Sequence, residues 1–299
     1  MIEAAVIRPI TSVEDIRQVE ALQRQVWGLT SDAELVPLHM LKATAENGGL
    51  LWGAFSAQGD LLGFVLGFLA RQDGRLKHYS HMLGVLPAAQ GAGVGFRLKC
   101  AQRQAVLDQG IDRITWTVDP LEGRNARLNL GKLGVVCSTY HRDLYGELQD
   151  GLNAGMPTDR FQVDWWLRSQ RVERRTKGES PSPTLPDVTT AGAMRVNETK
   201  RAGAIRVPSG SDLNGTLAML LIEIPGDFQE VKQADRQAAL NWRMHTRELF
   251  ETYFRAGYTV TEFISESTAQ ERRSFYLLQR DLAFEVGFPS APSETQHAH

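Results

Sequence analysis

The sequence is poor in cysteine, which excludes two common ways of stabilising a fold. It has two cysteines in 299 residues, Cys100 and Cys137. No disulfide framework can therefore form, and no zinc cluster can be built from thiolates alone. We expect two reduced, buried thiols, a cytoplasmic location and no metal.

The sequence also lacks an excess of either charge and any long apolar run. Lysine and arginine number 33 and aspartate and glutamate 35, for a formal net charge of -2. Binding to nucleic acid or a membrane surface usually shows as a basic excess, so neither partner is expected. The longest apolar run, residues 61–70, has ten residues, whereas a membrane-spanning helix needs roughly 20. The N-terminal segment lacks the apolar core of a signal peptide.

What is present suffices for a large core, because 42% of the residues are hydrophobic and 23% are charged. Residues 1–168 alternate between the apolar patterns of strands and of helices. Strands are predicted at 4–9, 50–56, 61–71, 78–86, 111–118, 135–140 and 161–167. Helices are predicted at 13–27, 37–46, 94–109 and 119–134. This alternation predicts an α/β (α+β) domain over residues 1–168.

The composition changes after residue 168. Residues 169–203 are charged and then rich in Pro, Ser and Thr, which is typical of a linker or excursion loop. A second α/β block is predicted at 204–285, with a strand at 217–224, a helix at 234–257 and strands at 259–265 and 273–282. This order loosely resembles the order around residue 90. Residues 286–299 are predicted to be a disordered tail.

A glycine-rich loop lies between the strand at 78–86 and the helix that begins near residue 94. Gly91, Gly93 and Gly95 occupy alternate positions after Pro87. The spacing fits neither the dinucleotide fingerprint nor the P-loop, because Phe96 stands where each pattern needs glycine. A helix N-terminus nevertheless carries unsatisfied N–H groups that attract phosphate, and glycine removes side chains that would hold a phosphate away.

The pattern that does fit, Val85-x-Pro87-x-x-Gln90-Gly91-x-Gly93-x-Gly95, resembles the pyrophosphate loop of the GCN5-related N-acetyltransferase (GNAT) superfamily. The resemblance implies the GNAT fold, a mixed central sheet flanked by helices, with the second block as a C-terminal α/β half-domain extension. It also implies that the chain binds acetyl-CoA or another acyl-CoA. The implied coenzyme A contacts are Leu83, Gly84, Val85, Gln90, Gly91, Ala92, Gly93, Val94 and Gly95.

The runs DPLEGRNARLNLGKLG and YGELQDGLNAGMPTDRFQVDWW are similar to a larger GNAT subgroup that carries a C-terminal extension. Relatives in that subgroup N-acylate amino acids with succinyl-CoA as donor. The resemblance thus implies an N-acyltransferase that acts on a small-molecule amine. Asn125 and Asn129, four residues apart, are expected on one helix face, where they would hydrogen-bond the pantetheine amides or serve as cap and surface residues.

The residues that perform the chemistry are less clear from the sequence. Many GNAT enzymes use a helix tyrosine as acid for the departing thiolate, and Leu130 stands at that position here. Tyr140 and Tyr145 follow soon after and are candidate acids, although tyrosine is more often a packing residue. Asp119, at the end of a strand, is a candidate base or a cap of the next helix.

Other candidates have equally plain alternatives. His78 and His81 are three residues apart on one strand, so at most one faces the site, as a base or as a structural residue. Arg160 would hold a carboxylate of the acceptor or of a succinyl group, or else form a surface ion pair. The second block would extend the sheet, wall the acceptor cleft or make a homodimer contact.

Two further functions remain open at the level of sequence. A non-catalytic acyl-CoA sensor or interaction module would keep the coenzyme A cleft without the chemistry, and Leu130 in place of tyrosine favours it. Protein acetylation is the weaker alternative, because a cleft narrowed by the extension would exclude a protein chain.

Overall fold

The computed structural model describes residues 5–29, 31–146, 155–268 and 271–280. The strands of the first half are β1 (Val6–Pro9), β2 (Leu50–Phe55), β3 (Leu61–Gln72), β4 (Arg75–Val85), β5 (Arg113–Val118), β6 (Val136–His141) and β7 (Arg160–Trp166). Its helices are α1 (Val13–Trp27), α2 (Leu38–Glu46), α3 (Val94–Asp108) and α4 (Gly123–Ala126), with a π-helix over Arg127–Leu133. The predicted elements of residues 5–146 and 155–168 are therefore present, with bounds shifted by a few residues.

The second half adds further helices and strands within the described residues. The helices are α5 (Gln170–Thr176), α6 (Leu185–Thr190), α7 (Phe228–Ala234) and α8 (Arg236–Arg255). The strands are β8 (Met194–Arg195), β9 (Asn197–Ala202), β10 (Ile205–Ser211), β11 (Met219–Ile224), β12 (Tyr258–Ser267) and β13 (Arg272–Arg280). The predicted tail, 286–299, lies outside the described residues, and the domain boundaries remain predictions.

The segment predicted as a linker, 169–203, contains regular structure. Ser169 caps α5, and Thr184 and Asp187 form a capping box at the start of α6, as serine, threonine and aspartate commonly do. Arg175 of α5 reaches Glu262 of β12 at 2.6 Å. Composition misled the prediction here, because caps and distant ion pairs hold these short helices without an apolar repeat.

Helices cover both faces of the first half of the sheet. The apolar residues of α1 and α2, among them Ile16, Leu22 and Leu41, pack on one face in a buried cluster with Phe64. On the other face, Val94 and Leu98 of α3 pack with residues of β2 and β3. The mixed sheet flanked by helices that the sequence predicts is confirmed.

Within the described part of the chain, the sheet has eleven strands in the order β1-β2-β3-β4-β5-β7-β6-β12-β13-β11-β8. Among these strands two pairs of neighbours are parallel, β4 with β5 and β11 with β8, and each is paired over two residues. All other neighbouring pairs are antiparallel. The second block therefore extends the sheet of the first.

The strand order contains an internal repeat. In the first half, β7 lies between β5 and β6 and is antiparallel to both; in the second half, β13 lies in the same way between β11 and β12. Helices connect β5 to β6 and β11 to β12. Each copy also has a register shift at the corresponding place, after Cys137 in β6 and after Val260 in β12. The second block thus repeats the part of the first that follows α3, not the part around the glycine loop.

The two copies meet in one core. Val260 of β12 pairs with Cys137 of β6 and joins the sheets. Phe161 of β7 packs edge-on against Phe250 of α8, with ring centres 4.7 Å apart, and against Tyr276 of β13 at 5.5 Å. Buried aromatic pairs of this kind contribute about 0.5–1.5 kcal/mol beyond the area they bury. The second copy is therefore part of the same folded body.

Candidate active site

The glycine loop leaves a row of backbone N–H groups without an acceptor. Gly91 and Gly93 have φ of 84° and 79°, a region that glycine adopts readily, and Gly93 is the N-cap of α3. The first backbone amide of α3 that has an acceptor is that of Arg97, which donates to the carbonyl of Gly93 at 3.0 Å. For residues 91–96, no oxygen in the described part of the chain accepts a hydrogen bond from the backbone N–H.

Among the described residues, no side chain or backbone crowds the glycines of this loop. A Cβ built on Gly91 or Gly93 would have no atom within 4 Å, and one on Gly95 would make only ordinary contacts, the nearest at 3.7 Å. Gly91 and Ala92 are exposed. The positive end of the α3 dipole therefore opens onto free space, the arrangement that binds anions at helix N-termini.

Gln90 fixes the loop to its neighbours, and it is contacted by an arginine that the sequence analysis missed. The Gln90 side chain donates to the carbonyl of Val85 at 3.1 Å, and Arg124 of α4 donates to Gln90 Oε1 at 3.2 Å. Arg124 is exposed, so its guanidinium adds positive charge at the edge of the loop. In the sequence, the one feature that could have indicated this role is the position of Arg124 in the helical turn that follows the DPLEG segment.

Strands β4 and β5 diverge next to the loop. They are paired only at His78 with Ile114 and at Tyr79 with Thr115. Beyond this point β4 continues to Val85 paired with β3 alone, so its edge toward β5 is open. This edge includes Leu83, Gly84 and Val85, and their contact with coenzyme A stays a prediction. Gly84 has a packing role as well, since a Cβ there would lie 2.9 Å from Phe64.

The two histidines of β4 lie on opposite faces of the sheet, as their spacing of three residues on one strand predicts, and His81 lies at a bulge. Met82 pairs with Leu66 and Ser80 with Gly67, so His81 has no partner on β3. His78 is buried against α3, with Nε2 3.2 Å from Gln102 Nε2; burial, followed by the charge of Lys99, lowers its pKa to about 3. His81 lies on the other face beside Phe68 and Tyr79, with ring centres 5.9 and 6.4 Å away.

A cluster of hydroxyl groups lies on that second face, where β4 leaves β5. The hydroxyls of Thr117 on β5 and Tyr145 are 2.7 Å apart. Burial and then a hydrogen bond with Tyr145 raise the pKa of Tyr79 to about 12. The guanidinium of Arg160 lies 5.4 Å from the centre of the Tyr145 ring. The structure thus brings the predicted residues Tyr145 and Arg160 together and adds Tyr79 and Thr117, which the sequence analysis did not select.

Tyr140 is placed differently from the prediction. Its hydroxyl donates to Asp159 at 2.7 Å, and its ring stacks on Phe250. Burial and then the charge of Asp159 raise its pKa far above the ordinary value. A hydroxyl that is already bound to a buried carboxylate is not available to a departing thiolate, so this geometry gives no support to Tyr140 as the acid.

Asp119 is also placed against its predicted role. Both oxygens accept from Arg243 of α8, at 2.8 and 2.6 Å, and one also accepts from the amide of Leu121 at 2.8 Å. Burial alone would raise its pKa, but the Arg243 guanidinium outweighs burial and the pKa is lowered. Asp119 is therefore a weak base with both oxygens engaged, and it fixes the turn after β5.

The two asparagines do not share an environment. Asn125 is exposed on α4, whereas Asn129 is buried in the π-helix. The wider turn of the π-helix, with bonds from residue i to i+5, breaks the regular spacing on which the prediction relied. Leu130 is buried at 3% exposure in the core, as a packing residue.

A buried lysine supports β4 from the α3 side. Lys99 is 2% exposed; its Nζ donates to Ser80 and Gln102, each at 2.9 Å, and lies 3.6 Å from the centre of the Trp116 ring. Burial lowers its pKa well below the usual value. No carboxylate among the described residues forms an ion pair with it. This polar cluster fixes the point at which β4 and β5 separate.

No group of three or more His, Cys, Asp or Glu side chains in residues 5–29, 31–146, 155–268 and 271–280 could hold a metal ion. Within these ranges no helix combines the length and the apolar character needed to cross a bilayer.

Comparisons with known proteins give structural likenesses only. No protein-family model matches the chain, and no curated protein matches it. An N-acetyltransferase from Staphylococcus aureus Mu50 is 15% identical with a TM-score of 0.46, covering 56% of this chain and 100% of that one. A GNAT family protein from Desulfovibrio desulfuricans is 16% identical (TM-score 0.45; 55% and 99% covered). Ard1 from Thermoplasma volcanium is 18% identical (TM-score 0.42; 54% and 97% covered).

These TM-scores are below 0.5 and the identities are below 25%. The chain's own structure bears on the resemblance more directly. Its mixed sheet is flanked by helices on both faces, its glycine loop opens α3, and β4 diverges from its parallel neighbour β5 beside that loop. The chain therefore has the mixed sheet, the glycine loop before a helix and the diverging strands that the resemblance to the GNAT superfamily implies, and the superfamily itself stays a prediction.

Proposed function

We propose that this chain is an acyl-CoA-dependent N-acyltransferase. It transfers an acetyl or succinyl group to the amine of a small molecule, an amino acid being the first candidate. The observation that carries the proposal is the row of backbone N–H groups at residues 91–96 that have no acceptor in the described chain. Every α-helix leaves its first N–H groups without an intrahelical partner, and an open helix N-terminus preceded by glycines suits a diphosphate.

The same residues suggest how coenzyme A lies. The diphosphate would accept from the amides around Gly91, Gly93 and Gly95, and Arg124 would add a charge-assisted hydrogen bond. The pantetheine arm, which carries amide groups of its own, would follow the open edge of β4 at Leu83, Gly84 and Val85. Asn125 is exposed on α4 and is a candidate partner for the cofactor, whereas buried Asn129 would contribute mainly to the shape of the π-helix.

The reaction is an amide-forming acyl transfer. The amine nitrogen attacks the thioester carbonyl carbon, the C–N bond forms, and the C–S bond breaks with its electron pair left on sulfur. The nitrogen loses one proton to a base, and the thiolate gains one proton from an acid, so that the products are an N-acyl amine and a free thiol. Holding both reactants together contributes much of the rate, and proton transfer adds typically 10²–10⁴-fold.

His81 and Tyr145 are the residues that we propose for these proton transfers. His81 is exposed to solvent on one side, and the protein atoms around the rest of its ring lower its pKa through desolvation. The imidazole is therefore neutral at neutral pH and able to accept the amine proton. Tyr145 is 46% exposed and its hydroxyl contacts Thr117, at the point where β4 and β5 part. It would protonate the thiolate in place of the helix tyrosine that Leu130 replaces.

The acceptor would bind on the face that carries these groups. Arg160 extends beside Tyr145, and a guanidinium binds a carboxylate in two parallel hydrogen bonds. A carboxylate on the acceptor, or at the end of a succinyl group, would place the reacting atoms near His81. This supports a small, negatively charged reactant.

A second function has one observation in its favour. Leu130 is part of the apolar core, so the usual tyrosine position offers no acid, as in a sensor that binds acyl-CoA without turnover. The hydroxyl cluster of Tyr79, Thr117 and Tyr145 supplies an alternative acid, and for this reason we favour the enzyme.

The test measures binding and turnover separately. Calorimetry with coenzyme A should give saturable binding to the full chain. Free thiol should then be released from acetyl-CoA or succinyl-CoA in the presence of at least one amine from a panel of amino acids, other small amines and a lysine peptide. In Tyr145→Phe, kcat should fall by roughly 10²-fold or more, while the dissociation constant of coenzyme A is unchanged.

Each result decides between the proposals. Binding without turnover on any amine would establish the sensor and overturn the enzyme. Failure to bind coenzyme A would overturn both. Turnover on the peptide alone would replace the small-molecule acceptor by a protein.

A further inference from the structure

Tyr145 lies on a segment that is held by hydrogen bonds rather than by regular structure. It follows the end of β6, and its backbone amide donates to Thr158 Oγ1 at 3.0 Å. The amide of Leu144 donates to the carbonyl of Thr158 at 3.1 Å, and the Thr158 hydroxyl also contacts the carbonyl of Gly146 at 3.0 Å. The direction of the Tyr145 side chain therefore depends on the position of Thr158.

Asp143 in turn holds Thr158. Its carboxylate accepts from the Thr158 amide at 2.9 Å and from the Thr158 hydroxyl at 3.2 Å. Asp143 has a φ of 43°, in the left-handed region that non-glycine residues adopt at a cost. Such a conformation persists where the surroundings enforce it, and here the Asp143 amide is bound to Asp159 at 3.0 Å.

Asp159 is the fixed point of this network. It is fully buried at 0% exposure, and it accepts from Tyr140 and from the Asp143 amide. Its charge is balanced by Arg247 of α8, which donates to both carboxylate oxygens at 2.7 Å. A buried carboxylate without such a partner would be strongly unfavourable. The two-bond geometry also fixes the rotation of the carboxylate.

We propose that Arg247 is a positioning residue: the second structural copy orients Tyr145 toward Thr117 through Arg247, Asp159, Asp143 and Thr158. This inference rests on the proposed function in one respect, the role of Tyr145 as the acid. Arg247 contacts none of the groups of the candidate site itself. It acts through a continuous chain of hydrogen bonds that begins on α8 and ends at the backbone of the residue that carries the hydroxyl.

The second structural copy thereby contributes to the reaction by positioning a catalytic side chain of the first. The first copy supplies the glycine loop, the open edge of β4 and the reacting side chains. No described residue of the first copy forms an ion pair with Asp159, although a hydrogen bond with Glu251, and more weakly the charge of Asp159, raise the pKa of the nearby Arg142. The ion pair that balances Asp159 therefore forms only when α8 is docked.

The test uses the full chain with three variants and one control. Arg247→Met removes both bonds to Asp159. Arg247→Lys keeps the charge without the two-bond geometry. Asp159→Asn combined with Arg247→Met removes both charges and so avoids a buried unpaired carboxylate. The control, Glu251→Gln, breaks the exposed ion pair with Arg142 that also joins α8 to the end of β6.

Two measurements are made on each protein. In Arg247→Met and in the double variant, kcat for thiol release should fall on the order of 10²-fold, while the dissociation constant of coenzyme A and the KM for acyl-CoA are unchanged. The amides of Asp143, Leu144, Tyr145 and Thr158 should exchange hydrogen faster. Arg247→Lys should recover part of kcat, and Glu251→Gln should resemble the wild type.

Two outcomes would overturn the inference. If the double variant regains both wild-type stability and wild-type kcat, Arg247 only neutralises a buried charge. If the four amides exchange at the wild-type rate in Arg247→Met, the chain of bonds does not hold Tyr145. A wild-type protein that never releases thiol would refute the proposed enzyme, and the exchange rates would still decide the role of Arg247.

Discussion

A substitution of Asp119 tests whether this residue stabilises the fold or acts as the catalytic base. In Asp119→Asn, the Arg243 guanidinium, 1% exposed, would remain buried and charged while losing the carboxylate that now accepts two of its N–H groups. Breaking a buried pair by removing one partner costs about 3–5 kcal/mol. For a chain of this size each kcal/mol lowers Tm by about 2–4 °C, so we expect a fall of roughly 6–20 °C.

Scanning calorimetry and urea unfolding measure this loss directly. A second variant, Asp119→Asn with Arg243→Met, removes both charges and should regain most of the stability, since replacing a buried pair by apolar groups is often neutral or favourable. Thiol release by Asp119→Asn, corrected for the folded fraction at a temperature well below Tm, should stay near the wild-type rate.

The pH dependence has a definite sign. Arg243 lowers the pKa of Asp119 in the folded state, so the stability that the pair contributes is fully present above the unfolded-state pKa of about 3.9. It is lost as the pH falls through the lower folded-state pKa. The stability difference between wild type and Asp119→Asn should therefore be constant near neutral pH and shrink only below about pH 4. An unchanged Tm together with a large loss of rate would refute this reasoning and restore Asp119 as the base.

Two further predictions concern the candidate site. Gly93→Glu should weaken coenzyme A binding in calorimetry by at least about tenfold, or 1.4 kcal/mol. The control is Gly74→Glu, because Gly74 has a nearly identical φ of 77° and equally open surroundings; it should lose similar stability and keep its affinity for coenzyme A. If the two variants bind coenzyme A equally well, the diphosphate does not bind at this loop. In a plot of kcat/KM against pH, the acid limb should have its midpoint below pH 6.5, because desolvation lowers the pKa of His81. His81→Gln should abolish this limb. If the limb persists in the variant, His81 is not the base.

Local features of the fold and site could be predicted from the sequence because their causes are local. The glycine loop and the start of α3 depend on residues that are adjacent in the chain. The roles of Asp119 and Tyr140 could not be predicted in the same way. The partner of Asp119 is 124 positions away, and Tyr140 is held by a carboxylate that is itself fixed by Arg247, 88 positions further along.

Departures from regular geometry account for most of the remaining differences. The bulge at His81 shifts the register of β4 after that residue, and the π-helix over Arg127–Leu133 changes the face on which Asn129 lies. Neither leaves a clear mark in apolar periodicity, because one extra residue changes the register without changing the composition. Tyr79 and Thr117 were missed for a related reason: they become neighbours of Tyr145 only after β4, β5 and the segment after β6 have come together.

The two structural copies differ at the sheet edge beside β5 in the first copy and beside β11 in the second, and this difference bears on function. Beside β11, the side chain of Asn197 donates to the carbonyl of Glu223 at 2.9 Å and accepts from its amide at 2.8 Å. It thus forms the bonds that a neighbouring strand would form, and it closes that edge. Beside β5 the corresponding edge stays open next to the glycine loop. An edge that is closed in one copy and open in the other leaves backbone groups available for hydrogen bonds at the open one, which favours a ligand there.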